Sequence, residues 1–277
     1  MAETASGDIA PAEVSSVAAE PGIAARFRGV GFRYPTGTEA LAGLDLEIRA
    51  GEVTGIVGPS GCGKSTTLAL LAGLAQATAG SVELAPSARE GHPLSMVFQQ
   101  DTLLPWLTVE QNVGLHFRFR GGARQAKDEV ASLLEMIGLD GFARAYPKQL
   151  SGGMRRRAAF LAGIAPRPNV LLLDEPFSSV DEPSRVRIHQ EVLGIVESFK
   201  TTTVLVTHDL AEAITLSSSV AIFSARPGRV VAVHEIPFGS DRNVLELRDT
   251  PEFLELYGRL WHELSTQIAK SAEVDAE

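Results

Sequence analysis

Gly58-Pro59-Ser60-Gly61-Cys62-Gly63-Lys64-Ser65 fits the pattern G-x-x-x-x-G-K-[ST] at every fixed position. It lies between a short β-rich run, Glu52–Val57, and a helical stretch of Leu and Ala, Ser65–Leu74. Glycines let the backbone curl so that successive N–H groups point inward at an anion. The start of the following helix adds its positive dipole end. Lys64 would reach the β- and γ-phosphates and the Ser65 hydroxyl would ligate Mg²⁺. A glycine-rich turn that merely contains a lysine is the bland alternative, and the strand-to-helix context argues against it. On its own the motif says nucleotide phosphate and does not separate GTPase, kinase and ATPase.

Three further segments would turn binding into hydrolysis. Val170-Leu171-Leu172-Leu173-Asp174-Glu175 is an apolar strand that ends in two carboxylates, at the edge where open α/β sheets bind ligands. Asp174 would hold Mg²⁺, through water, and Glu175 would polarise the attacking water as general base. His208 follows Thr203-Val204-Leu205-Val206-Thr207, again at a strand end, and would contact the γ-phosphate. Gln99, after Met96-Val97-Phe98, would contact Mg²⁺ or the water and report the γ-phosphate to the neighbouring helices. Cys62, beside Lys64 and a helix N-terminus, is expected to favour thiolate. It should react with maleimides, and MgATP should slow that reaction.

The elements that must position these residues are laid out in order. At 277 residues the chain suits one large domain, or one domain with an inserted lobe. Residues 1–22, rich in Ala, Ser, Glu and Pro, read as a flexible extension. Ala25–Val30 and Leu44–Ile48 alternate like strands, with turn residues between them. Residues of about 100–166 carry mostly helical periodicity, as in Ala126–Ile137, and read as an inserted helical lobe. Strand signals return at Val170–Leu173 and Thr202–Thr207, and their alternation with helices implies parallel strands joined by crossovers. Pro251–Ala269 has Phe253, Leu256, Leu260 and Leu264 at helical spacing and is expected to pack on its own domain.

Composition excludes some classes. The net charge of −9 lacks the basic footprint of a general nucleic-acid binder, so no nucleic-acid partner is expected. The run Arg155-Arg156-Arg157 is accordingly read as the charged face of a helix. A single cysteine cannot form an intramolecular disulfide. No apolar run approaches the ~20 residues of a spanning helix, and the first 25 residues carry no Lys or Arg of a targeting segment. The chain is read as cytoplasmic.

Leu150-Ser151-Gly152-Gly153-Met154 opens a helix expected to begin near Arg155, and two glycines with a serine at a helix start make a second anion site. A chain with one phosphate cradle has no obvious use for it. This stretch resembles the signature motif of ABC ATPases, and the other pieces then stand in that family's order. Tyr34 matches the aromatic residue that stacks on adenine, residues Gly58 to Thr66 match Walker A, and Gln99 matches the Q-loop. Residues 170–175 match Walker B, Ser178-Ser179-Val180-Asp181 the D-loop, and His208 the switch histidine. The resemblance covers about residues 25–270. Leu103-Leu104-Pro105-Trp106, the Met-ended signature and Ser224-Ala225-Arg226-Pro227-Gly228-Arg229 resemble the nitrate, sulfonate and taurine importer ATPases, with bicarbonate and thiamine-precursor importers nearby.

The resemblance implies an α/β fold of the P-loop NTPase, ABC type. A parallel-sheet core would carry an antiparallel β subdomain and an inserted helical subdomain, the ATPase domain at 23–240 followed by a helical tail at 241–277. It also implies ATP and Mg²⁺ as cofactors, with Ser65, Gln99 and Asp174 toward the metal. Two ATPase subunits, expected to be a homodimer, would pack head to tail, so that Ser151, Gly152 and Gly153 of one touch the ATP of the other. The partners implied are transmembrane permease subunits and, indirectly, a substrate-binding protein, which places the chain on the inner face of the cell membrane. A soluble ABC ATPase of translation or DNA repair would bring two cassettes, a long coiled coil or zinc-binding cysteines, which this sequence lacks. An exporter ATPase stays open within the transporters. Some positions depart from the family's pattern: Met154 replaces a common Gln, Arg156 and Ala162 stand where Gln and Arg are usual, and Val180 replaces Leu. None removes a catalytic group.

Overall fold

A computed structural model describes residues 22–274 apart from 86–93, 101, 121–122, 179 and 240–241. The extension expected at 1–22 lies outside the described residues, Gly22 excepted, as does Ser179 of the D-loop match. Strands β1 (Ile23–Arg33) and β2 (Glu39–Arg49) pair antiparallel, and β2 buries Leu44, Leu46 and Ile48 while the residues between them face water. The chain then enters the core along β3 (Val53–Val57), every residue of which is buried, and turns into helix α1 (Lys64–Leu71). Strand β4 (Ala79–Leu84) returns to the far edge of β1, completing a three-stranded sheet in the order β2-β1-β4.

After β5 (Leu94–Val97) comes the helical lobe: α2 (Val109–Val113), α3 (Leu115–Arg120), α4 (Ala123–Met136) and α5 (Gly152–Ile164). Thr108 starts α2 with a capping box in which its hydroxyl and the Gln111 side chain each satisfy an otherwise unpaired backbone N–H. The signature helix α5 begins at Gly152, three residues before the position expected. Ser151 is its N-cap, accepting from the Met154 N–H at 3.3 Å, so both signature glycines are at its first turn.

The second half alternates strand and helix: β6 (Val170–Asp174), α6 (Glu182–Phe199), β7 (Thr202–Val206), α7 (Leu210–Leu216) and β8 (Ser219–Phe223). Strand β9 (Val230–Glu235), the short helix α8 (Val244–Leu247) and the long α9 (Pro251–Val274) close the described chain. The large sheet runs β5-β6-β7-β3-β8-β9, parallel except where β9 pairs antiparallel with β8. Its inner strands are covered on both faces, which is why they read as unbroken apolar runs. In β6, Leu171 and Leu173 pack with Phe160 and Ile164 of the helical side, while Val170 and Leu172 pack with Ile48, Leu68 and Phe223 on the other. Edge strand β9 instead alternates half-buried and exposed residues. Among the described residues no helix is long and apolar enough to cross a membrane.

Helix α9 buries Phe253, Leu256, Leu260 and Leu264 against Leu210 and Ile214 of α7 and Val220 and Ile222 of β8. The apolar stripe therefore packs on its own chain, as its period implied. Leu260 is fully buried there. Leu260→Ala is expected to destabilise the fold by about 2–5 kcal/mol through lost transfer energy and a residual cavity, read as a lower urea midpoint; an unchanged midpoint would mean that the helix end does not belong to this core.

Candidate active site

The phosphate loop is shaped by close approaches that only glycine permits. Gly63, at the N-cap of α1, has φ 97°, and a Cβ there would come within 2.9 Å of the Ala40 carbonyl oxygen. Inside the loop the buried Lys64 ammonium donates to the carbonyls of Gly58 at 2.9 Å and Pro59 at 2.8 Å. The Ser65 hydroxyl donates to Asp174 Oδ1 at 3.0 Å, joining the end of β6 to the start of α1. Tyr34 keeps its ring exposed at the cleft mouth, braced edge-on against Phe32, while its hydroxyl shares a 2.8 Å hydrogen bond with Thr66.

Glu175 is the meeting point of the other three segments. Its backbone sits in the left-handed region, φ 44°, with its N–H donated to the Val206 carbonyl of β7 at 2.8 Å. Left-handed backbone in a residue other than glycine is strained and tends to mark functional positions. One carboxylate oxygen, Oε2, accepts from Gln99 Nε2 at 3.2 Å and lies 3.1 Å from His208 Nδ1. The His208 ring is mostly exposed, so it can turn toward a ligand. The Asp174 carboxyl is pushed above the usual carboxylate range, first by burial and then by the neighbouring Glu175, against the Ser65 hydrogen bond that pulls it down.

These residues line one cleft of about 610 Å³: the phosphate loop from Ser60 to Thr66 without Cys62, then Tyr34, Gln99, Glu175 and His208. Gly58, Pro59, Cys62 and Asp174 are not on its wall. Thr38, Ala40 and Arg226 are, and the sequence reading did not single them out as site residues. For Arg226 the signal was the Ser224–Arg229 match, used only to place the subgroup. Gly228 of the same turn was also overlooked: a Cβ on it would lie 1.9 Å from the Cys62 carbonyl oxygen, so this loop's backbone rests directly on the phosphate loop.

The structure does not bring Ser151, Gly152 and Gly153 into that cleft. They border a separate depression of about 370 Å³ together with Asp181, Arg157 and Ser184. Asp181 caps α6 by accepting the Ser184 N–H at 3.2 Å, and hydrogen bonding to Ser184 holds its carboxyl below the usual range. The phosphate-loop cleft with Lys64 and the depression at the glycine-rich helix start are thus two separate places on the chain.

Two expectations are corrected. The Arg155-Arg156-Arg157 run is not a solvated charged face. Arg155 donates to the Leu150 carbonyl, Arg156 is buried and donates to the carbonyls of Phe98 and Gln99, and Arg157 donates to that of Ile137 while lying 3.7 Å from Glu191. Cys62 is fully buried, and burial pushes its thiol up, outweighing the pull of Lys64. A raised thiol keeps the reactive thiolate scarce at neutral pH. Maleimide labelling of the folded protein at pH 7 is therefore expected to be slow with or without MgATP, to rise only above the pH at which a free thiol titrates, and to become fast in guanidinium. Rapid labelling of the folded form that MgATP suppresses would restore the thiolate reading.

The comparisons with known proteins agree with this geometry. A family profile described as ABC transporter matches residues 41–178. An aliphatic sulfonates import ATP-binding protein of Pseudomonas syringae pv. syringae is 44% identical over 203 residues, 73% of this chain and 81% of that protein. Its namesake in Bacillus cereus is 38% identical over 221 residues, 76% of this chain and 86% of that protein. Among solved structures, a dimeric bacterial ABC transporter cassette superposes with TM-score 0.68 at 28% identity, covering 76% of this chain and 98% of that one. The dimeric post-hydrolysis state of an ATP-binding cassette with ADP and Pi gives 0.66 at 30% identity, with the same coverage. With the phosphate cradle, the Asp174–Glu175 strand end and the separate glycine-rich helix start all in place, the chain belongs to the ABC transporter family, as the ATP-binding and ATP-hydrolysing subunit of an importer.

Proposed function

We propose that Glu175 is the general base of ATP hydrolysis, and the observation that carries this is the convergence of Gln99 and His208 on its Oε2 beside the Lys64 cradle. Lys64 and the loop N–H groups bind the β- and γ-phosphates, and Tyr34 offers its ring to adenine. Gln99 and Glu175 hold a water in line with the γ-phosphorus. As the water oxygen bonds to phosphorus its proton passes to the Glu175 carboxylate, and the bond to the ADP oxygen breaks. His208, exposed beside Glu175, binds a γ-phosphate oxygen.

Ser65 and Asp174 suit Mg²⁺: a hydroxyl and a carboxylate already converge at 3.0 Å, and Glu175 adds a second negative charge that raises Asp174. Gln99 lines the same cleft as Ser65, and its side-chain oxygen is the third candidate ligand. When bound, the metal neutralises charge on the β- and γ-phosphate oxygens.

Two copies pack head to tail, so that Ser151, Gly152 and Gly153 of one close over the ATP of the other, with Asp181 at the seam. The dimeric solved cassettes support a dimer, and the separation of the Ser151–Gly153 depression from the Lys64 cleft within one chain supports the head-to-tail order. ATP then joins the subunits and hydrolysis releases them, a cycle that drives separate permease subunits at the inner face of the membrane. The transported solute is a small anion of the sulfonate class, a reading supported by the names of the relatives. It is delivered by a binding protein and never touches this chain.

Glu175→Gln is expected to keep ATP affinity, lose turnover by about a hundredfold or more and accumulate an ATP-bound dimer on size-exclusion chromatography. Turnover near that of wild type would remove Glu175 from the base role. For the solute, deletion of the encoding gene should abolish growth on an alkanesulfonate as sole sulfur source while sparing growth on sulfate; equal growth on both would point to a different cargo.

A further inference from the structure

Arg156 is a charged residue at 7% exposure, on the face that the signature helix α5 turns toward the sheet. Seven residues on, Gly163 lies on the same face, two helical turns away. A Cβ on Gly163 would stand 2.5 Å from Val97 Cγ2, so the absence of a side chain lets α5 settle directly on β5. At the other end of this contact the chain has left the sheet at Val97, and the carbonyls of Phe98 and Gln99 have no strand partner of the β5–β6 ladder. Arg156 reaches over the strand end, with Nη1 donating to the Phe98 carbonyl at 3.4 Å and Nη2 to that of Gln99. A planar fork bound to two successive carbonyls fixes their orientation as well as their distance.

Gln99 is the residue whose amide donates to Glu175. Its backbone is thus gripped by the helix whose first turn, Ser151 to Gly153, lies at the separate depression. A glutamine at this position would present both of its donor hydrogens from a single nitrogen, without the spaced two-nitrogen fork that reaches Phe98 and Gln99 separately.

We propose that Arg156 is a positioning residue that couples the two anion sites of the chain: a nucleotide engaged by Ser151–Gly153 shifts α5, and Arg156 carries that shift to Gln99 and so to the Gln99–Glu175 contact. The proposal rests on the head-to-tail reading above, because the nucleotide at Ser151–Gly153 belongs to the partner subunit. It predicts that ATP at one site sets how well water is held at the other, without Arg156 touching nucleotide, metal or water.

The test is steady-state ATPase of the full-length protein against ATP concentration, for wild type, Arg156→Met, Arg156→Gln, Gln99→Ala and the Arg156→Met/Gln99→Ala double variant. Binding of a fluorescent ATP analogue to each is measured in parallel. Arg156→Met, which keeps the apolar stem, is expected to lower kcat by about ten- to a hundredfold, as misplacement of a positioning group does. Analogue affinity should stay at the wild-type value, and any sigmoidal dependence on ATP should be lost. Arg156→Gln should recover part of kcat. The double variant should be no slower than Gln99→Ala alone, because both changes break one link. A merely structural arginine would instead give additive losses and weakened analogue binding, and that result overturns the proposal, as does a kcat for Arg156→Met within about twofold of wild type. Should Arg156→Met fail to fold, Arg156→Gln combined with Gln99→Ala carries the same comparison. Failure of the head-to-tail reading shows differently: Glu175→Gln would form no ATP-bound dimer, whereas failure of the Arg156 link alone leaves that dimer intact.

Discussion

Three inner parallel strands, β3, β6 and β7, are buried along nearly their whole length and leave the chain few places for a charged group. Ahead of their carboxyl ends these strands hold only apolar residues, Gly55 and the threonines Thr54, Thr202 and Thr203, because a charge within them would need a partner that close packing does not supply. Polar chemistry is therefore confined to where the strands end. Val57 gives way to the phosphate loop, Val97 to Phe98 and Gln99, Leu173 to Asp174 and Glu175, and Val206 to Thr207 and His208. Because these strands are parallel neighbours in the order β5-β6-β7-β3, their carboxyl ends share one edge, and residues more than a hundred positions apart become a single site. The hydrogen bond from Ser65 to Asp174 and the grouping of Gln99 and His208 on Glu175 are consequences of that edge.

The same constraint decides what could be read in advance. A buried strand writes itself as an apolar run, so β3, β6 and β7 were legible, and the polar residues that follow them stood out as candidates. The phosphate loop was legible because its glycines answer local demands, as at Gly63. The stripe of α9 was legible through its period, which survives because one face meets α7 and β8.

What could not be read was set by tertiary contact. Three consecutive arginines look like a solvated face by composition, yet where each guanidinium goes depends on which carbonyls lie within reach: Leu150, Phe98, Gln99 and Ile137. The thiol of Cys62 turns on a balance between burial and the nearby ammonium, and sequence proximity revealed only the ammonium. Gly228 stood in the sequence only as part of the Ser224–Arg229 match, since its close approach to the Cys62 carbonyl joins segments more than 160 residues apart. The start of α5 was placed late because glycine is a poor interior helix former, while the Ser151 cap makes the first turn possible.

The Lys64 ammonium has acceptors of its own in the Gly58 and Pro59 carbonyls. Under the proposed role of Lys64, a phosphate that takes either of these two donor hydrogens gains only the difference between its own oxygens and a neutral carbonyl. Such an exchange favours ligands with dense, multiple negative charge and discounts weak monovalent anions, which gain little by displacing groups that already point the right way. In that role the cradle would act as a threshold on charge density, set by the curvature of its own backbone.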